Sequence, residues 1–159
     1  MLQRPQSVFL AIAAICLIVS LFLPVWVKSV PEPDKQLTLH RTHLVKDSAS
    51  GEAQSVPWPY ALSAVFAVLG AATAVFEIFK YNNRLTQMKL GALNSLLLSA
   101  ATLLPLFFVY QLEAEYDPTT RGAYGLGTYL PLISLVCNIL ANRFIRRDEK
   151  LVRSVDRIR

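Results

Sequence analysis

The residues of this 159-residue chain that could do chemistry are few and far apart. His40 and His43 are its only histidines, and they stand three residues apart in a polar stretch. A zinc site needs three or four ligands. The two cysteines, Cys16 and Cys137, sit inside apolar runs and cannot join them, and on a strand residues i and i+3 face opposite ways. The pair therefore reads as polar loop residues. The cysteines read as small hydrophobes, because a redox relay wants exposed thiols of low pKa. Glu77 is the one acid within or beside an apolar run ahead of the C-terminal tail. An intramembrane carboxylate is a functional candidate by default. Lys80 follows it by three residues, so an ion pair on one helical face at the membrane edge is the expected arrangement. A glycine-rich phosphate loop, a Ser-His-Asp set, an HExxH pair and a CxxC pair are all missing from the sequence. Enzymes need two or three polar groups converging on one site, so the expectation is a protein that is not an enzyme and carries no cofactor or metal.

These residues are carried by four charge-free runs, Val8–Val27, Pro57–Phe76, Gly91–Leu112 and Tyr124–Asn142, of 20, 20, 22 and 19 residues. A bilayer core of about 30 Å is crossed by about 20 apolar residues of helix. The runs have no polar face and no period of two, which disfavours both a soluble helix and a barrel strand. The expected fold is an all-α membrane protein forming one domain, a bundle of four transmembrane helices with spans at about 8–27, 57–79, 88–112 and 124–145. The first run is longer than a signal-peptide core and lacks a small-x-small cleavage site, so it is expected to be retained.

Charge placement orients the bundle. With both termini in the cytoplasm, the inner segments hold eleven of the sixteen cations against four acids, net +7, and the outer segments hold five against seven, net −2. The chain's +5 is thus an orientation signal, with no nucleic-acid partner expected. Trp26, Trp58, Tyr60, Tyr81, Tyr110, Tyr124 and Tyr129 fall near span ends, where an interfacial belt is expected.

The first outer loop, 28–56, opens on Pro31 and Pro33. Its segment from Gln36 to Val45 alternates and is β-branched, which predicts a strand or short hairpin, with a turn over Asp47–Gly51. The second outer loop, 113–123, carries an Asp117-Pro118 turn, and Gly122, Gly125 and Gly127 make the backbone permissive beyond it. The inner connection Tyr81–Gln87 is short, so spans two and three are expected to be antiparallel neighbours. The tail, 146–159, has no helix breaker. Leu151, Val155 and Ile158 recur at i, i+4 and i+7, which predicts an amphipathic extension of the fourth helix. With Arg143, Arg146, Arg147, Lys150, Arg153 and Arg157 it forms the candidate interaction surface, for anionic lipid headgroups or a protein partner. Small and polar residues form stripes, with Ser63, Ala67, Gly70 and Ala74 in span two, Asn94, Ser95 and Ser99 in span three, and Asn138 in span four. They read as the packing seam of the bundle. Pro105 and Pro131 are expected to bend spans three and four.

The opening Met1-Leu2-Gln3-Arg4-Pro5-Gln6, an MxQRxQ run, and the tail from Ala141 to Arg159, of the form ANRxIxxDExLVRSxDRxR, resemble a family of short bacterial four-span membrane proteins known as domain of unknown function 4293. The resemblance implies a bacterial inner membrane and brings no assigned activity. Pro5 departs from the larger apolar residue expected there. Four spans with a strand-bearing first outer loop is also the layout of claudin-like proteins, a likeness of architecture alone. The expected role is a non-enzymatic membrane scaffold or accessory subunit, with a small transporter or channel as the alternative.

Overall fold

The computed structural model describes residues 5–30, 35–48, 53–80, 83–116 and 120–156. Four helices, α1 (Pro5–Ser20), α2 (Ala61–Phe79), α3 (Arg84–Glu115) and α4 (Leu126–Asp156), pack in a ring in chain order, each on the next and α4 back on α1. Five antiparallel strands, β1 (Trp26–Val30), β2 (Lys35–Leu39), β3 (Leu44–Ser48), β4 (Ala53–Val56) and β5 (Ala123–Tyr124), form one sheet in the order β4-β3-β2-β1-β5. Segments α2, Leu85–Glu115 of α3 and Leu126–Leu151 of α4 are long and apolar enough to cross a membrane.

The first apolar run is not one helix. α1 has 16 residues, about 24 Å at 1.5 Å per residue, and ends at Ser20, whose hydroxyl donates to the Leu17 carbonyl. Leu21 and Phe22 close the last turn with i→i−3 bonds to Ile18 and Val19. Pro24 bars any continuation, and Trp26 and Val27, expected at the end of the span, lie in β1. Trp26 is therefore not an interfacial aromatic. It is wholly buried in a core with Leu37, Leu39, Leu44, Phe108 and Leu112, where the sheet rests on the C-terminal end of α3. The loop element is also larger than a strand or hairpin. Residues 36–45 divide into β2 and β3 around a turn at His40–His43, where His40 N–H donates to the His43 carbonyl at 2.9 Å. Asp47 and Ser48 belong to β3. The rest of the expected Asp47–Gly51 turn, Pro31, Pro33, Tyr81 and the Asp117-Pro118 turn lie outside the described residues.

β5 ties the connection between α3 and α4 to the one between α1 and α2 by pairing Tyr124 with Trp26. The glycines beside it serve close approach. A Cβ on Gly127 would lie 2.7 Å from the carbonyl oxygens of Leu23 and Pro24, and one on Gly122 would strike the Trp26 indole. Asn83 caps α3 by accepting from Thr86 N–H at 3.1 Å. α3 thus starts before the expected position 88, and α2 and α3 pack as neighbours.

Candidate functional site

Three constellations of polar side chains survive in this scaffold. The first is the basic face of α4. This helix runs unbroken through residue 156, so Ile139, Arg143, Arg146 and Lys150 recur at i, i+4, i+7 and i+11 on one stripe. With Arg147, Asn142 and Ser95 of α3 they line a groove of about 640 Å³. All four cations are exposed, and the groove passes from apolar to cationic along α4. Leu151 is exposed beyond it. The side chains of Arg153 and Val155, and Arg157 and Ile158 entirely, lie outside the described residues.

The second is a buried layer at the same end. Glu77 does not pair with Lys80. Lys80 is exposed, with its Nζ 5.3 Å from the centroid of the Phe76 ring. Glu77 is 0% exposed, and among the described residues neither carboxylate oxygen has a hydrogen-bond partner. The stripe Ser63, Ala67, Gly70, Ala74 continues by one more step of three onto Glu77, so the carboxylate lies on the interior face of α2, not at its rim. Ala74 packs with Leu10, Ala14 and Ala141. Gln6 precedes Leu10 by four residues, Glu77 follows Ala74 by three and Ile145 follows Ala141 by four, so each lies one helical turn beyond this cluster, and with Gln87 of α3 each is at most 3% exposed. Gln87 Nε2 donates to the Glu77 main-chain oxygen at 3.4 Å, while the Oε1 atoms of Gln6 and Gln87 have no partner.

The seam between these helices is built from close approach and amides. Gly70 meets Leu17, Asn94 and Leu98. Asn94 Nδ2 donates to Asn138 Oδ1 at 3.1 Å, and Asn138 Nδ2 donates to Ser95 Oγ at 2.9 Å and to the Gly91 carbonyl at 3.2 Å. Asn142 donates to the same carbonyl at 3.1 Å. Ser95 and Ser99 hydroxyls bond back to the carbonyls of Gly91 and Ser95 on their own helix.

The third constellation centres on Arg41, which the sequence places among ordinary outer-loop cations. It sits at the tip of the β2–β3 hairpin and is 1% exposed. Its Nη1 donates to the Ala101 carbonyl at 2.7 Å and its Nη2 to the Gly127 carbonyl at 2.9 Å. Both acceptors have the same origin. A proline at position i leaves the carbonyl of residue i−4 without its helical donor, and Pro105 and Pro131 stand four residues after Ala101 and Gly127. The guanidinium occupies the two vacancies and joins α3 to α4. Ser63 Oγ adds α2 by donating to the Arg41 carbonyl at 3.0 Å. Burial lowers the pKa of Arg41 to about 10, so it stays cationic at neutral pH. Two lysines tie the sheet to the end of α3. Buried Lys28 donates to the Tyr116 carbonyl, and Lys46 donates to the Tyr116 hydroxyl at 2.7 Å.

His40 and His43 do not point apart as strand residues would, because they flank the hairpin turn. Their rings stack with centroids 5.0 Å apart. Cys16 and Cys137 are free thiols on the packed helices α1 and α4. Among the described residues no group of three or more His, Cys, Asp or Glu side chains stands together.

A family model described as domain of unknown function (DUF4293) matches residues 2–158. The chain belongs to this family. The match runs through the four helices and five strands of the described residues. No curated protein matches the chain.

Proposed function

We propose that this member of the family is a non-enzymatic integral protein of a bacterial inner membrane, with four spans and both termini in the cytoplasm, acting as a scaffold or accessory subunit of a membrane complex. The observation that carries the reading is the inverted surface. Ile15, Val68, Phe76, Leu96, Leu103, Phe107, Val136 and Ile139 are exposed around all four helices, while Asn94, Asn138, Ser134 and Ser63 are buried between them. A continuous apolar belt of this kind in water would be an aggregation surface, and in lipid it is solvated. α1 has 16 residues, and the segment 21–25 that leads into β1 completes its crossing.

The charge bias supports an orientation with the sheet outside and the basic groove inside. The sheet offers an outer docking platform. The groove on α4, apolar at Ile139 and cationic from Arg143 onward, suits the phosphate and upper acyl chain of an anionic lipid. Topology is tested by introducing Ser55→Cys on the exposed strand β4 and labelling intact cells with a membrane-impermeant maleimide. Labelling is expected there, whereas a periplasm-dependent reporter fused after Arg159 stays inactive. The reverse pattern overturns the orientation. The scaffold role is tested by crosslinking in the membrane before gentle detergent extraction, and recovery of the protomer alone counts against it. A second reading, a small transporter, is favoured by buried Glu77. It requires Glu77→Gln to abolish cation flux in proteoliposomes.

A further inference from the structure

Glu77 poses an electrostatic problem that its neighbours do not solve. A carboxylate removed from water is costly unless a positive charge and hydrogen-bond donors replace its hydration. Among the cations whose side chains are described, Lys80 on its own helix, Lys89 on α3 and Arg143 and Arg146 on α4 are all exposed, and the described part of α1 carries no charged residue; the side chain of Arg84 lies outside the described residues. The groups that do share the layer add to the demand. Among the described residues both Glu77 oxygens and the Oε1 atoms of Gln6 and Gln87 are buried acceptors without a donor. A proton on Glu77 would supply a single donor and leave the other oxygens bare. A hard cation bound by oxygen ligands serves all of them at once. One carboxylate balances one positive charge, so a divalent ion would leave an uncompensated charge in the bundle.

We propose that Glu77, Gln6 and Gln87, contributed by α2, α1 and α3, hold a small monovalent cation of the sodium class in the inner layer of the bundle. The site stands independently of the scaffold reading, since such an ion can be a fixed structural element or a transported one. The ion sits where three helix ends meet, so its binding draws α1, α2 and α3 together at that end.

The test uses the full-length protein in detergent and a hydrophobic carbodiimide, which modifies a buried carboxyl only when it is protonated. Sodium chloride, compared with choline chloride at equal ionic strength, should slow modification of Glu77 several-fold as judged by peptide mass spectrometry. Gln87→Leu should shift that protection to higher sodium concentration. Independently of reagent access, sodium should raise the melting midpoint of the wild type progressively with concentration and leave that of Glu77→Gln unchanged. A modification rate equal in sodium, lithium, potassium and choline marks a proton alone and overturns the proposal. If the reagent does not reach Glu77 in any salt, the melting arm decides, and a wild-type midpoint indifferent to all three metal ions overturns it.

Discussion

Replacing Arg41 by leucine is the most informative perturbation of this fold. The substitution deprives the Ala101 and Gly127 carbonyls of their donors at 2.7 and 2.9 Å in a site that water does not reach. Leaving a buried polar group unsatisfied costs about 1–3 kcal/mol. Relief from burying the guanidinium offsets part of the loss, so the net destabilisation expected is about 2–4 kcal/mol. Arg41→Lys, a point donor in place of a fork, should reach one carbonyl and lose about half as much. The decisive comparison is made in a Pro105→Ala, Pro131→Ala background. There the amide N–H groups of residues 105 and 131 are restored and can take back the carbonyls four residues earlier. Arg41→Leu should then cost about 1 kcal/mol or less, an interaction energy of about 2 kcal/mol across the cycle. Unfolding in mixed detergent micelles, followed by circular dichroism on the four proteins, measures it. Costs that simply add, to within about 0.5 kcal/mol, would refute the claim that the arginine acts through the vacancies left by the two prolines.

Other expectations follow from the same packing. Gly127→Ala forces a Cβ to within 2.7 Å of two backbone oxygens and should cost about 1–3 kcal/mol. Gly70→Ala, whose nearest contact is 3.4 Å, should be neutral or gain up to about 1 kcal/mol of helix propensity; thermal melting that ranks the two alike would sink the close-approach argument. Burial first and the neighbouring His43 second lower the pKa of His40 from 6.5. The unfolded chain therefore takes up this proton more readily than the folded one, and the hairpin tip should lose stability as pH falls from above 6.5 through the folded value. A nuclear magnetic resonance titration midpoint for His40 at or above 6.5 contradicts this, and His43→Ala should raise the midpoint. Changing Arg143, Arg146 and Arg147 to Gln should weaken retention of anionic over zwitterionic lipid by about 1 kcal/mol per cation, read by native mass spectrometry from mixed nanodiscs. Unchanged lipid selectivity would remove the groove as a headgroup site.

Three of the four helices are legible as long apolar runs, because lipid demands an apolar surface over a fixed length. The break in the first run is harder to see. Val25-Trp26-Val27 is as apolar as the helix before it, and hydropathy alone does not separate a buried strand from a helix; Pro24 is the only local mark of the switch. The depth of Glu77 was encoded in the small-residue stripe, which reaches it in one further step, whereas its distance from the end of the charge-free run suggested the rim. Arg41 was invisible to any local pattern. Its partners lie 60 and 86 residues away. The hint was two prolines in separate apolar helices, each freeing a carbonyl that some other part of the chain had to satisfy. The sheet was underestimated for a similar reason, since β5 is two residues long and gains its identity only from pairing with β1.

The arginine latch also imposes a schedule on biogenesis. At about 5–20 residues per second of synthesis, the 60 residues separating Arg41 from its first acceptor and the 86 separating it from its second correspond to delays of about 3–12 and 4–17 seconds. During that interval the first hairpin must wait hydrated, with its guanidinium solvated and its future socket not yet made. Only when the third and fourth helices have both been delivered, each with its proline vacancy, can the tip descend and shed its water. Docking of the hairpin tip is thus complete only once all four helices have been made. A chain stalled after three helices would lack the Gly127 acceptor and keep its cationic tip only half docked.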